Sequence, residues 1–347
     1  MSNSYSLANL GWHPFFQQQL SLQEWEENFP ARVIEQHKSM VTIAGDNSIH
    51  HLDLHHHMPE LVVGDWMLVD ENRAFVRLLE RKSCFRRKAP GSKVQYQLIS
   101  ANVDSAFIVC SMNENFSLNR VERYLALVNE AGVEPVVVLS KSDLVEAPEE
   151  YIAKVQSLDP LLCVEGVNGL DSENLDNLKL WTKTGNTVAV LGSSGVGKST
   201  LVNALLGLDV QDTGEVRAGD DKGRHTTTGR SLHVFPSGGL ILDTPGMREL
   251  QLSDCKEGIS ATFKDIEQLS EHCRFANCQH SSEPGCAVQD AVDDGRLEQR
   301  RLDSYFKLLR EQANNSASFA EKRAKYKAQS KFYKRTQHDA QRLKGRF

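Results

Sequence analysis

Between residues 31 and 98 the chain runs in short apolar stretches, at 31–34, 40–43, 61–69 and 74–79, broken by turn signals such as Gly45-Asp46-Asn47 and Asp70-Glu71-Asn72. Short strands at this spacing predict a small β-barrel, with an OB-like barrel as the preferred form. From Asp104 to about Gln251 the pattern changes. Apolar strands at 106–109, 135–139 and 187–191 alternate with helical stretches at 119–131 and 198–206, the alternation of a parallel α/β sheet. After about residue 253 the chain reads as helical, interrupted by a cysteine cluster. The first thirty residues, with Gln17, Gln18, Gln19, Glu24, Glu26 and Glu27, read as a polar lead-in holding one short helix. The expected organisation is therefore a multi-domain chain. It comprises an N-terminal extension (1–30), an OB-like β-barrel (31–98), a central α/β domain (99–253) and a helical domain with a basic tail (254–347).

Composition narrows the class. Of 347 residues, 25% are charged and 40% hydrophobic, as in ordinary globular proteins. No run approaches the roughly 20 apolar residues of a membrane span, and the first twenty residues lack a basic start followed by an apolar core. A cytoplasmic protein with no membrane partner is expected. Seven cysteines, of which Cys84, Cys110, Cys163 and Cys255 stand alone, do not form a secreted disulfide framework. A net charge of -6 argues against broad nucleic-acid affinity, so local patches matter more than the total. One such patch is Arg81, Lys82, Arg86, Arg87, Lys88 and Lys93. The other is the final stretch from Lys322 to Arg346, where Tyr326, Phe332 and Tyr333 are interleaved with cations, a mixture that suits RNA as well as a solvated helix. His50, His51, His55, His56 and His57 read as a solvated loop between strands, because no ligand-spaced cysteine or carboxylate set accompanies them.

The strongest local signal is Gly192-Ser193-Ser194-Gly195-Val196-Gly197-Lys198-Ser199, followed by Thr200. It matches G-x-x-x-x-G-K-[ST] directly after an apolar strand and directly before a helix, the context of a phosphate-binding loop. Its glycines let backbone N–H groups turn toward phosphates, Lys198 reaches the β and γ oxygens, and the Ser199 hydroxyl holds Mg²⁺. Downstream, a short strand ends at Asp243-Thr244-Pro245-Gly246, of D-x-x-G form. Asp243 is expected to bind Mg²⁺ through water and the Gly246 amide to sense the γ-phosphate. Between them lies Gly223-Arg224-His225-Thr226-Thr227-Thr228, a polar stretch whose threonines, Thr227 and Thr228 among them, are candidates for a second Mg²⁺-binding hydroxyl.

The base is indicated by Ser140-Lys141-Ser142-Asp143, at the end of an apolar strand. It is similar to the [NT]-K-x-D element of GTPases, whose aspartate accepts from N1–H and the 2-amino group of guanine, with serine in the first place. Adenine lacks both donors, so Asp143 discriminates against it. This element precedes the phosphate loop, whereas in the common order it follows D-x-x-G: the order is circularly permuted. The D-x-x-G segment therefore runs directly into the C-terminal region. There Cys273, Cys278, His280 and Cys286 form C-x4-C-x-H-x5-C, a complete Cys₃His set that favours one structural zinc.

Together, the permuted order, the residues Arg224-His225-Thr226-Thr227-Thr228, and Cys273-Arg274-Phe275 through Glu283-Pro284-Gly285-Cys286 resemble the ribosome small-subunit-dependent GTPase A family. The resemblance covers about residue 31 to the C-terminus. It implies an OB barrel, a permuted GTPase domain and a zinc-bearing helical domain. It also implies late action on the small ribosomal subunit, contact with its rRNA, and slow GTP hydrolysis that the subunit stimulates. By the same resemblance His225 is the candidate for assisting catalysis, since Met247 follows the D-x-x-G segment where many GTPases carry a water-orienting glutamine. At 164–169, Val-Glu-Gly-Val-Asn-Gly stands where the family often has a serine-containing guanine loop. The expected protein is a monomeric GTP phosphohydrolase with Mg²⁺, GTP or GDP, and one Zn²⁺. Its rivals are an RNA-binding structural protein with a decayed nucleotide site and an ATP-using P-loop kinase.

Overall fold

The computed structural model describes residues 6–45, 48–88, 96–171, 175–207, 230–243, 252 and 254–316. Its strands are β1 (Phe29–Gln36), β2 (Met40–Gly45), β3 (Ser48–Asp53), β4 (Trp66–Val69), β5 (Phe75–Leu78), β6 (Cys84–Lys88), β7 (Tyr96–Ala101), β8 (Ser105–Ser111), β9 (Glu134–Ser140), β10 (Cys163–Val167), β11 (Thr187–Leu191), β12 (Arg230–Val234) and β13 (Leu240–Asp243). The helices are α1 (Pro14–Gln17), α2 (Leu22–Glu27), α3 (Leu118–Glu130), α4 (Pro148–Gln156), α5 (Lys198–Leu206), α6 (Lys256–Thr262), α7 (Lys264–Ser270), α8 (Ala287–Asp293) and α9 (Gln299–Ser316). None of the described helices is long and apolar enough to cross a membrane.

One mixed sheet runs in the order β10-β9-β8-β11-β13-β12-β1-β2-β3, with β4 beside β1 and β5 beside β4; β6 and β7 form a separate ribbon. Strands β10, β9, β8, β11 and β13 are parallel neighbours. Such strands are covered by helices on both faces, which is why they read as continuous apolar runs. Phe107, Val109, Val136, Val138 and Val188 pack on one face with Leu201 and Leu205 of α5. The intervening Ile108, Val137, Leu139 and Ala189 pack on the other with Val121, Leu125 and Val128 of α3.

The N-terminal strands do not stand apart from this sheet. β1 pairs with β4 through residues 29–32, with β2 through 32–36, and with β12 through Glu35 and Gln36. Arg230 of β12 reinforces the join by donating to the carbonyls of Leu98 and Ile99.

Several local expectations are corrected. His50 and His51 lie in β3 rather than in a loop; β3 pairs only with β2 among the described strands, so it needs few apolar residues and buries only Leu52. His55, His56 and His57 are exposed beyond it, as expected. The lead-in holds two short helices, not one, and is not merely polar, since Leu10 and Phe16 are buried beside Trp66. Arg32, itself buried, ties it down by donating to the carbonyls of Leu10, Gly64 and Asn102 and to the Thr187 hydroxyl. The patch from Arg81 to Lys88 is largely partnered: Arg81 pairs with Asp65, Lys82 with Asp104, and Arg86 with Glu130 and Asp254. Lys93 and the basic tail from Lys322 to Arg346 lie outside the described residues.

The C-terminal helices are fastened to α3. The Glu122 carboxylate, fully buried, accepts from Arg300 and Arg301, and Arg301 also pairs with Asp265 of α7. A buried ion network of this kind adds little net stability but penalises any other seating of the helices, because a displaced partner would leave a charge unpaired.

Candidate functional site

Strand β11 and helix α5 take up residues 187–191 and 198–206, with the six-residue phosphate loop between them. Gly192 leaves the strand at φ +144°, and a Cβ there would lie 2.4 Å from the Val109 carbonyl oxygen, so no larger residue fits. Gly197 turns the chain into α5 at φ +92° as the helix N-cap, with no side-chain cap. The first N–H groups of α5 thus point, uncapped by any side chain, toward a cavity of about 330 Å³ lined by Lys141, Ser194, Gly195, Gly197, Lys198, Ser199 and Thr200. Uncapped helix N–H groups, the helix dipole and two ammonium groups make this an anion site. The Lys198 Nζ donates to the carbonyls of Gly192, at 2.8 Å, and Ser193.

Strand β9 delivers Ser140 to the same place. Its hydroxyl is buried, donates to the Val196 carbonyl at 2.6 Å, and lies 3.3 Å from the Cys110 carbonyl. Lys141, in the left-handed region at φ +64°, donates to the Gly195 carbonyl at 3.2 Å. The serine in the first place of the motif therefore latches β9 to the glycine loop between β11 and α5. Ser140→Ala should weaken GTP and GDP binding alike by about tenfold, since it leaves a buried carbonyl without its donor at a cost of roughly 1–3 kcal/mol. Ser140→Thr should keep most of the affinity. Titration with a fluorescent GDP checks this, and unchanged affinity in the alanine variant would remove the latch from the account.

Asp143 lies in the turn Ser142–Leu144 and is exposed. Solvated as it is, this carboxylate would become costly to leave unpaired only once a ligand covered it. Sequence reasoning named no residue in the neighbouring guanine segment. Register places it: β10 runs parallel to β9 with Val167 opposite Ser140, so Asn168 and Gly169 emerge beside Lys141. Asn168 Oδ1 accepts from the Leu170 N–H at 3.0 Å, and a Cβ on Gly169 would touch Thr200. An apolar strand start followed by Asn-Gly was the available signal. Beneath the loop, burial pushes the Cys110 thiol up to about 11, which makes it a packing group rather than a nucleophile.

Asp243 ends β13, next to β11, so its backbone reaches the phosphate-loop end of the sheet. His225, Thr227, Thr228 and Gly246 lie outside the described residues, as do Thr226 and Met247.

The four predicted zinc ligands converge. Their ligand atoms all lie within 4.8 Å of one another. His280 Nδ1 is 3.5 Å from the sulfurs of Cys273 and Cys286, which are 3.9 Å apart. Zinc bonds of about 2.3 Å to sulfur and 2.0 Å to nitrogen put tetrahedral ligand atoms roughly 3.5–3.8 Å apart, so the cluster fits zinc and not a disulfide. The loop is pre-shaped by Glu283, whose carboxylate accepts from the N–H groups of Gln279, Ser281 and Ser282 and is held down at about 2 by those bonds.

The fold and site together define a class. The crystal structure of YjeQ from Thermotoga maritima matches with a TM-score of 0.62 at 23% identity, covering 82% of this chain and 98% of that one. YloQ, described as a circularly permuted GTPase, matches with a TM-score of 0.59 at 23% identity over 84% of this chain and 97% of its own. This is the circularly permuted GTPase fold. Residues 78–253 match the model of the RsgA GTPase family. The "Small ribosomal subunit biogenesis GTPase RsgA 2" of Vibrio vulnificus is 55% identical over 99% of this chain and 98% of its own length. The "Small ribosomal subunit biogenesis GTPase RsgA" of Mesorhizobium japonicum is 43% identical, over 91% and 92%. The chain belongs to the RsgA GTPase family and is a GTP hydrolase.

Proposed function

We propose that the chain binds the small ribosomal subunit, acts late in its maturation, and hydrolyses GTP to GDP and phosphate at a rate the subunit raises. The observation that carries this reading is the latched pair of Ser140 and the phosphate loop, intact in a chain 55% identical to a named small-subunit biogenesis GTPase. A decayed nucleotide site would not keep Lys198 across the loop or the Gly192 close approach, so the structural-protein rival is disfavoured; Asp143 disfavours the kinase.

In this reading Gly192 to Thr200 hold the phosphates, and Ser140, Lys141 and Asp143 select guanine, with the backbone of Asn168 and Gly169 closing over the base. Ser199, Asp243 and one of Thr227 and Thr228 would hold Mg²⁺, which would supply positive charge to a bound triphosphate. The Gly246 amide senses the γ-phosphate. His225 assists the attacking water, a role Met247 cannot fill. Cys273, Cys278, His280 and Cys286 hold one structural zinc. This reading divides the chain into units at 1–30, 31–98, 99–253 and 254–347. The order β3-β2-β1-β4-β5 suits a partly open OB-like barrel merged with the main sheet. Barrel, zinc unit and basic tail would meet rRNA, and the protein works as a monomer in the cytoplasm.

Hydrolysis releases the γ-phosphate contact at the D-x-x-G segment, which leads straight into α6. The end of that connection next to α6 is tied down: Asn315 of α9 donates to the Leu252 carbonyl, and the Asp254 N–H donates to the Ser316 hydroxyl. The test is GTP turnover by the full chain with and without purified small subunits. At least a tenfold stimulation is expected; turnover indifferent to subunits would end the proposal.

A further inference from the structure

We propose that Arg120 of α3 is a positioning residue for the terminal phosphate, setting the preference for GTP over GDP. The inference rests on the guanine-nucleotide reading above and deepens it. Arg120, the third residue of α3, reaches to the start of the phosphate loop, where its Nη1 lies 3.4 Å from the Ser193 hydroxyl and 3.2 Å from the Asn115 carbonyl. Lys198 holds the carbonyl of the same Ser193, so two cations grip one loop residue from different sides.

The charge balance is what sets Arg120 apart from its neighbours. Arg123, Arg300 and Arg301, on α3 and on the helix packed against it, each hold a carboxylate. Arg120, half-buried, faces neutral oxygens and makes no ion pair among the described residues. A guanidinium without a counter-charge, beside an anion site, is available to the field of an incoming anion. The end of the site matters too. Lys198, whose ammonium serves the β and γ oxygens in phosphate loops, rests on Gly192 and Ser193, which places the far end of a triphosphate at the end of the loop that Arg120 holds. The diphosphate portion lies nearer the N-terminus of α5, whose first residues line the cavity. Arg120 therefore adds attraction that depends on the third phosphate, and keeps Ser193 in the loop shape that accepts it.

The experiment measures equilibrium binding of GDP and of guanosine 5′-(β,γ-imido)triphosphate, with Mg²⁺, to the full chain and to Arg120→Ala, Arg120→Lys and Ser193→Ala. Arg120→Ala should lose at least tenfold in affinity for the triphosphate analogue and less than twofold for GDP. Arg120→Lys should recover part of that loss, and Ser193→Ala should lose the triphosphate preference in the same direction to a smaller extent. A thermal melt checks that each variant is folded. Equal losses for both nucleotides, or none, in Arg120→Ala overturn the proposal; should that variant fail to bind GDP at all, the same comparison in Arg120→Lys and Ser193→Ala decides it. If the unaltered chain bound neither nucleotide, the guanine-nucleotide reading would fail instead.

Discussion

Lys198→Ala binds GTP and GDP at least roughly 100-fold more weakly than the unaltered chain, because it removes two charge-assisted hydrogen bonds of about 1.5–3 kcal/mol each. No other group described around the cavity can replace that ammonium. Lys141 lines the same space but is committed to the Gly195 carbonyl at the opposite side of the loop. The substitution should leave the fold intact, since Lys198 is only partly buried and its present partners are the carbonyls of Gly192 and Ser193. Calorimetric titration with Mg²⁺ present, alongside a thermal melt, measures both. Affinity within threefold of the unaltered chain would mean that the loop is not a phosphate site.

The second large effect concerns the cysteine cluster. Replacing Cys286 by serine, or stripping the protein with a strong chelator, should reduce bound zinc from about one per chain to none and open the loop from Cys273 to Cys286. Metal binding at such a site is folding free energy, on the order of 10–16 kcal/mol in small zinc modules. Little else replaces it here: Arg274, Phe275 and Gln279 are exposed, while Cys286 is buried in the core with Val288 and Ala291. Elemental analysis with limited proteolysis should show metal loss together with new cleavage in residues 273–286. GDP affinity should hold, because α3, α5 and the parallel strands do not depend on the loop. A metal-free chain with unchanged cleavage would assign the four residues to packing alone.

Legibility from sequence followed how local each feature is. β11 and α5 run over the residues expected because a strand, a glycine loop and a helix are specified within some twenty neighbouring positions. Strands β3, β10 and β12 were not expected. Their residues are half-exposed or polar, and they become strands by pairing with a neighbouring strand: β3 with β2, β10 with β9, and β12 with β13 and the distant β1, a contribution that periodicity does not register. The buried anchors of the lead-in went unread for a related reason. Leu10 and Phe16 look unremarkable among glutamines and acids until Trp66 and Arg32 arrive to cover them.

What the residue order determined alone was candidate chemistry that resides in short runs: a glycine loop suited to anions, an S-K-S-D element, a Cys₃His set that could hold zinc, and their permuted sequence. Backbone freedom at glycine, ligand spacing and hydrogen-bonding inventory are properties of a few adjacent residues, and they survive without knowledge of the fold. Only the tertiary structure decided which of these runs meet. Ser140 latches a carbonyl 56 residues away, Arg32 bonds a hydroxyl 155 residues away, and Glu122 gathers two guanidiniums from the last described helix. Such contacts come from burial, where an unpaired polar group is costly and one arrangement satisfies them all.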